Sequence, residues 1–178
     1  MYGNLHLPPN STAISITEFK ALNSRSNIGE SQSSIYKIPK NATFLYIVLV
    51  GGGGGGGRPT AGAATTGAGG GGSGAITTAL IPAMLLPEYL YIALGLISRG
   101  AITNGTQGSG AGNASISCYS LPTGAIAAGN KLLEAKQGAG GQAAGLGGAG
   151  GAAMVAADAR WSTLGFWTSQ AGVAGGAG

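Results

Sequence analysis

The first candidate for chemistry is a run of seven glycines, Gly51–Gly57, which directly follows the apolar segment Tyr46–Val50. Gly51, Gly53 and Gly56 satisfy the spacing G-x-G-x-x-G, in which a strand enters a tight turn whose backbone approaches a pyrophosphate. A turn of this kind would make the chain a dinucleotide-binding enzyme.

The residues after Gly57 lack what a dinucleotide site requires. The pyrophosphate lies at the N-terminus of a helix, whereas residues 58–62, RPTAG, have no helical period. The ribose is held by an acidic residue about twenty positions later, but no Asp or Glu occurs between Glu30 and Glu88. Gly-Lys-Ser and Gly-Lys-Thr, which mark a phosphate loop, are absent. Because any long glycine run matches the motif, the dinucleotide-binding enzyme remains only as an unfavoured alternative, and we expect no cofactor.

Other groups with catalytic chemistry are few and scattered. The five carboxylates lie far apart in the sequence, His6 is the only histidine, and Cys118 is the only cysteine. A metal site needs several such ligands, and a serine nucleophile needs a recognisable turn motif. The sequence therefore predicts no catalytic residue, no metal site and no enzyme. A free structural thiol is the simplest role for Cys118.

Charge and hydropathy indicate which surroundings the chain suits. The nine Lys and Arg residues are scattered singly and the net charge is only +4 at pH 7, so nucleic acid is not an expected partner. The N-terminus lacks the charged start and apolar stretch of a signal peptide. The apolar segment Gly74–Ile97 is interrupted by Pro82, Pro87 and Glu88, and we therefore expect two short strands there and no membrane insertion.

The chain divides at about Ile35. Residues 1–34 are polar and irregular, which predicts an arm that attaches to other proteins. Residues 35–178 form one glycine-rich domain in which apolar strands alternate with glycine runs. Its core strands are expected at Thr43–Val50 and Glu88–Leu94. The first of these has no polar alternation near its end, so the sequence predicts that it is buried on both faces. Convincing amphipathic helices are absent.

Three glycine runs, residues 51–57, 67–74 and 138–152, flank these strands. Flexible glycine linkers have no reason to recur at the ends of apolar strands. An ordered polyglycine helix of the polyproline II type has three residues per turn and no internal hydrogen bonds, so its backbone groups bond to neighbouring runs. We therefore favour packed polyglycine helices over flexible linkers. The glycines expected to be structural are Gly51, Gly52, Gly53, Gly54, Gly55, Gly56, Gly57, Gly69, Gly70, Gly71, Gly72, Gly147, Gly148, Gly150 and Gly151.

Three aromatic residues, Trp161, Phe166 and Trp167, cluster near the C-terminus between Gly and Ser residues. One interpretation is a small satellite core or a subunit contact. The other is a platform for a ligand, since exposed Trp is a frequent anchor of partners. The sequence leaves both open.

The stretch YKIPKNATFLYIVLVGGGGGGG, followed by GAGGGGSGA and LIPAMLLPEYLYIALG, resembles the glycine-rich domain of tailed-bacteriophage virion proteins. In that family a strand runs into polyglycine, and a second glycine run precedes an I-P-A…L-P-x-x-L-x-I-x-x-G segment. The resemblance covers Ile35 to about Gly151 and weakens after Gly95. It implies a mainly β fold in which β-sandwich-like strands alternate with packed polyglycine II helices, with little or no α-helix.

The same resemblance implies a structural or adhesive virion component, most closely that of a tail or tail fibre, assembled in the host cytoplasm. A capsid decoration or head-fibre protein is the alternative. The implied partners are other virion proteins through residues 1–34, further copies of the chain (a trimer by analogy) and a host surface receptor. The ending AGVAGGAG also leads us to expect a longer protein.

Overall fold

The structure, a computed structural model, describes residues 15–20, 32–61, 67–95, 98–117, 130–155 and 166–178. These residues form seven β-strands and one short 3₁₀ turn, Ala83–Leu85. All neighbouring strands pair in antiparallel fashion. The fold expected from the sequence, mainly β with almost no helix, is confirmed.

The strands belong to two sheets. Sheet I has the order β1-β4-β5-β6, and its strands are β1 (Gln32–Lys37), β4 (Tyr89–Leu94), β5 (Ala114–Ser117) and β6 (Lys131–Ala135). Sheet II has the order β2-β3-β7, and its strands are β2 (Phe44–Val50), β3 (Ile76–Pro82) and β7 (Trp167–Gln170).

The two sheets enclose one hydrophobic core. Side chains alternate along each strand, and the inward-facing ones include Leu49 and Ile81 from sheet II and Leu90, Ile92 and Ile116 from sheet I. Leu90 is 2 % exposed, and burying a side chain of this size contributes about 2 kcal/mol to folding. The result is a β-sandwich.

The expected core strands are confirmed within one residue at their starts. β2 begins at Phe44 and β4 at Tyr89. The apolar segment Gly74–Ile97 indeed contains two strands: β3 ends at Pro82, and the 3₁₀ turn leads towards β4. Within the described part of the chain, no helix has the length and apolar character to cross a membrane.

The prediction that β2 is buried on both faces is wrong. Leu49 faces the core and is 5 % exposed, whereas Tyr46 and Val48 are 64 % and 51 % exposed. The reason is topological: sheet I covers the inner face of sheet II and leaves the outer face to solvent. The apolar pattern of β2 could not reveal that only one of its faces meets another layer of this chain.

The boundary expected at residue 35 falls inside a strand. β1 begins at Gln32 and pairs with β4, so residues 32–34 belong to the sheet. Part of the expected arm also touches the sandwich. The Phe19 ring packs edge-on against the Tyr36 ring, with 6.2 Å between their centroids. Residues 1–14 and 21–31 lie outside the described residues.

Candidate functional site: a polyglycine lattice on the sandwich

Extended segments continue from the strands and pack side by side. We call this assembly the polyglycine lattice. It is held by backbone hydrogen bonds between segments 51–57, 67–75, 98–101, 107–111, 136–142, 146–151 and 172–178. Segment 51–57 directly follows β2 and segment 67–75 leads into β3, so the lattice is continuous with the sandwich.

Segment 51–57 bonds to its neighbours at every third residue. The helix has three residues per turn, so the amides of the two residues between successive donors point in other directions. The amides of Gly51, Gly54 and Gly57 donate to the carbonyls of Ala75, Gly72 and Gly69, at 2.9, 2.7 and 2.9 Å. The two segments run antiparallel, because the acceptor residue numbers decrease as the donor residue numbers increase.

Segment 67–75 lies at the centre of the lattice and has four hydrogen-bonded neighbours. Its carbonyls accept from segments 51–57 and 146–151, and its amides donate to two further segments. The donors towards segment 136–142 are Gly69, Gly72 and Ala75, and those towards segment 172–178 are Gly70 and Ser73. Neighbouring segments thus satisfy the polar backbone that a polyproline II helix cannot satisfy internally. The expected packing of the first two glycine runs against each other and against the third is present.

The lattice requires glycine at many positions because glycine has no side chain. Among the described residues only Gly105 and Gly145 have positive φ, so the other lattice glycines adopt angles open to any residue. A Cβ placed on Gly54 would lie within 3.0 Å of the Ala139 backbone, and one on Gly55 would lie equally close to the Arg99 backbone. At Gly53 the nearest atom would be 3.5 Å away. Close packing therefore excludes side chains at specific positions of the helical period.

The third glycine run forms two segments, because the chain reverses between them. Gly145, with φ of 85°, lies in the turn. Ala139 and Gln142 then donate to the carbonyls of Ala149 and Leu146 across the hairpin. A left-handed φ is the conformation that glycine adopts without a steric cost, which explains the glycine at this point.

Sequence reasoning missed three contributors to the lattice. Segments 98–101, 107–111 and 172–178 contain no long glycine run, yet each bonds to the lattice through its backbone. A usable signal exists in the last of them, because Gly172, Gly175 and Gly178 follow the three-residue period. Gly172 and Gly175 donate to segment 146–151, and Gly178 donates to Gly145 in the turn before it.

The geometry of Gly51–Gly57 differs from that of a nucleotide turn. The run stays extended up to Arg58, which bridges to Thr106, and no helix begins there. The amides of Gly51, Gly54 and Gly57 are bonded to protein carbonyls, so they are not directed at a phosphate. The helix N-terminus that a pyrophosphate needs is missing from this place.

One buried charged cluster lies where β6 enters the lattice. The Lys131 Nζ donates to Glu134 Oε1 at 2.6 Å, and the Asn113 amide donates to the same oxygen at 2.8 Å. Asn113 Oδ1 accepts from the Gln137 backbone amide at 3.0 Å. The Glu134 side chain is only 4 % exposed. The cluster therefore joins sheet I to the first residues of segment 136–142.

A second ion pair is exposed and joins β1 to the start of β4. Lys37 Nζ lies 3.1 Å from a Glu88 carboxylate oxygen and 5.5 Å from the centre of the Tyr89 ring. The hydrogen bond to Glu88, followed by that to Tyr89, raises the pKa of Lys37 above its ordinary value. Both groups are more than half exposed, so the pair adds little to stability.

The described residues offer no grouping of three or more His, Cys, Asp or Glu that could hold a metal ion. His6 and Cys118 lie outside the described residues. Glu134 is committed to Lys131 and Asn113. The absence of catalytic residues remains a prediction.

The C-terminal aromatic residues do not form one cluster in the described structure. Trp167 is half-buried and packs against the core, whereas Phe166 is 44 % exposed. The Phe166 carbonyl accepts from the Leu80 amide at 3.1 Å, which places Phe166 beside β3 on the outer side of sheet II. Trp161 lies outside the described residues. Trp167 therefore suits a role in the core, whereas the exposed Phe166 suits a contact with another subunit or a ligand.

Comparison with known proteins gives no match: no protein-family model, no curated protein and no solved structure matches this chain. The support for a function therefore comes from the lattice, the sandwich and the resemblance noted in the sequence.

Proposed function

We propose that this chain is a structural and adhesive component of a bacteriophage virion, associated with the tail or its fibres. The observation that carries the proposal is the polyglycine lattice beside a β-sandwich, the architecture that the sequence resemblance implies. Backbone hydrogen bonds hold the lattice segments to one another, and the charged cluster at Glu134 stabilises the fold. A protein built in this way acts by shape and attachment.

The lattice also supports a role outside the cell. Backbone amides that are bonded to neighbouring segments resist the local opening on which proteolysis depends. The chain has only nine basic and five acidic side chains, so its contacts depend little on ionic strength. Both properties suit a particle that persists in changing surroundings.

The two ends of the domain have different roles in this proposal. Segments 51–57, 98–101 and 136–142 lead away from the sandwich, so the described residues that directly follow them lie at the far end of the lattice. Ile102, directly after segment 98–101, and Leu146, directly after the turn at residues 143–145, are 84 % and 60 % exposed. We propose that these residues face a host surface receptor, and that residues 1–34 attach the chain to other virion proteins. In a fibre the chain acts as a homo-oligomer, with a trimer as the state suggested by analogy.

Immunogold labelling of intact particles tests the proposal. Antibodies raised against the purified chain should label the tail or its fibres, and mass spectrometry of purified particles should recover its peptides. Labelling of the head would instead assign the chain to the alternative, a capsid decoration or head fibre. Particles without the chain would refute a virion role.

A thermal-shift screen addresses the competing class, a dinucleotide-binding enzyme. NAD, FAD and ATP at millimolar concentration should leave the unfolding temperature unchanged, because the amides of Gly51, Gly54 and Gly57 are already bonded. A clear rise with any one of them would favour the enzyme, since a ligand that binds only the folded state stabilises it.

A further inference from the structure

The outer side of sheet II carries a continuous apolar surface. We call it the apolar face, and its members are Phe44, Tyr46, Val48 and Val50 of β2, Ile76 and Leu80 of β3, and Phe166 before β7. Strand register brings these side chains together, since Tyr46 lies opposite Leu80 and Val50 opposite Ile76. The remaining positions of this side are uncharged as well: Thr78 and Pro82 on β3, and Thr168 and Gln170 on β7.

The apolar face is at the upper end of the size that apolar patches reach on free surfaces. Its seven side chains are between 37 % and 64 % exposed. With areas of roughly 150–250 Å² for the aromatic side chains, and the lower end of that range for the aliphatic ones, these fractions correspond to about 600 Å² of exposed apolar surface. A typical monomer has no apolar patch above about 300–600 Å², and a stable interface buries about 800 Å² on each partner. One such face supplies most of what a stable dimer needs.

The sequence of β2 indicates a strand that is buried on both faces. All seven residues, FLYIVLV, are apolar, which is typical of strands that are buried on both faces. Sheet I covers only the side of Leu45, Ile47 and Leu49. A strand that faced water permanently on its other side would be expected to alternate apolar and polar residues.

The lack of charge indicates what covers the face. When identical chains associate through one shared surface, each residue of that surface meets another residue of the same surface. Charged side chains across such a contact would oppose like charges, whereas Thr78, Thr168 and Gln170 hydrogen-bond to their own kind. Thr78 and Thr168 already do so within the sheet, at 2.8 Å. A different, charged partner would find no complementary charge on this face.

We propose that the apolar face is the interface between copies of this chain, packed sheet against sheet. Two facing sheets would lie about 10 Å apart with their strands nearly aligned, as the sheets of a sandwich do. Tyr46, on the edge strand β2, is the most exposed side chain of the face at 64 % and the main anchor. The inference holds independently of the virion role, because it concerns copies of this chain alone.

The experiment compares two substitutions at equally exposed apolar residues on opposite sheets. Val48 lies on the apolar face and is 51 % exposed, whereas Ile35 lies on β1 of sheet I and is 52 % exposed. The full chain, Val48→Asp and Ile35→Asp are measured by sedimentation equilibrium over a concentration series. Circular dichroism and cooperative thermal unfolding show that each variant is folded.

The wild type should have a mass of two copies of the 17.1 kDa chain, or of three if the faces meet around a three-fold axis. Val48→Asp should raise the dissociation constant at least about 30-fold, the effect of losing one strong interface contact. Ile35→Asp should leave the mass unchanged. If Val48→Asp does not fold, Tyr46→Thr replaces it, because threonine keeps a good strand residue at that position.

Three results would overturn the proposal. A wild type that stays monomeric at 100 µM, on the order of the highest concentration such a measurement allows, would leave the face without a second copy. Equal effects of Val48→Asp and Ile35→Asp would place the interface elsewhere. A monomer that becomes an oligomer only after residues 1–14 are deleted would show that the chain covers its own face. None of these results bears on particle labelling, so the two proposals fail separately.

Discussion

A lattice glycine is required by what lies next to it. Gly54 and Gly53 are adjacent and both have angles open to other residues, yet only Gly54 meets the backbone of segment 136–142 where a Cβ would be. Each lattice segment therefore has positions at which any side chain is excluded and positions at which a small one fits. The three-residue period decides which position is which.

We predict that Gly54→Ala destabilises the protein by about 2 kcal/mol or more, because a Cβ forces apart two backbone segments that are in contact. Gly53→Ala is the matched control, since its new Cβ would have 3.5 Å to the nearest atom. It should be neutral, or stabilise by about 0.5 kcal/mol through the less flexible unfolded chain. Chemical denaturation measures both. Equal stabilities of the two variants would contradict the packing described for segment 51–57.

A second prediction at this scale concerns the buried ion pair. Glu134→Gln keeps the shape and the hydrogen-bonding oxygen but removes the charge opposite Lys131, whose side chain is 15 % exposed. We expect a loss of about 3 kcal/mol in the free energy of unfolding, because a nearly buried ammonium group is left uncompensated. Glu88→Gln, at the exposed pair with Lys37, is the control and should have little effect. A similar small effect of both variants would mean that Lys131 reaches solvent.

At the scale of elements, the repeating unit is a strand that continues into a lattice segment. The strand is fixed by its apolar side chains, and the segment by backbone bonds to its neighbours. The change from side-chain packing to backbone bonding occurs between Val50 and Gly51. Val50 is the last residue of β2 that pairs with β3, and the Gly51 amide makes the first lattice bond, to the Ala75 carbonyl. The entropic cost of ordering glycine is offset by anchoring each run at both ends.

Neighbouring residues of β2 should respond differently to the same charge. We predict that Leu49→Asp gives no soluble folded protein, because Leu49 is 5 % exposed and a buried carboxylate would have no partner. Val48→Asp should remain soluble and protease-resistant, since its side chain points outwards. Limited proteolysis of the two variants measures this difference. A folded Leu49→Asp variant would contradict the assignment of the core side of sheet II.

At the scale of the whole molecule, the domain is a sandwich with a lattice at one end and an N-terminal segment that touches its side. The only described contact of residues 15–20 with the sandwich core is through Phe19, which packs edge-on against Tyr36. Residues 32–34 pair with β4. A deletion meant to remove attachment without damage to the fold must therefore end before Ser15.

We predict that the chain without residues 1–14 unfolds at the temperature of the full chain but is no longer incorporated into particles. The reason is that these polar residues lack a core of their own. Complementation of a particle that lacks the chain, followed by mass spectrometry, measures incorporation. Normal incorporation of the shortened chain would place the attachment elsewhere.

The positions of β2 and β4 could be predicted from the sequence, because apolar runs between proline and glycine residues are local signals. The packing of the glycine runs could also be predicted, since unsatisfied backbone groups must find partners. The segments without long glycine runs, such as 98–101, could not, because their place depends on the lattice around them. Nor could the separate roles of Phe166 and Trp167, which are adjacent in sequence but lie on opposite faces of one sheet.

The sequence by itself determined that this protein is built from apolar strands and ordered glycine helices, because both follow from local side-chain content. Only the tertiary structure decided which glycines tolerate no side chain and which face of β2 is open. Gly53 and Gly54 are identical as residues, and Val48 and Leu49 nearly so. What separates them is the neighbour that each one meets, and neighbours are fixed by the arrangement of the whole chain.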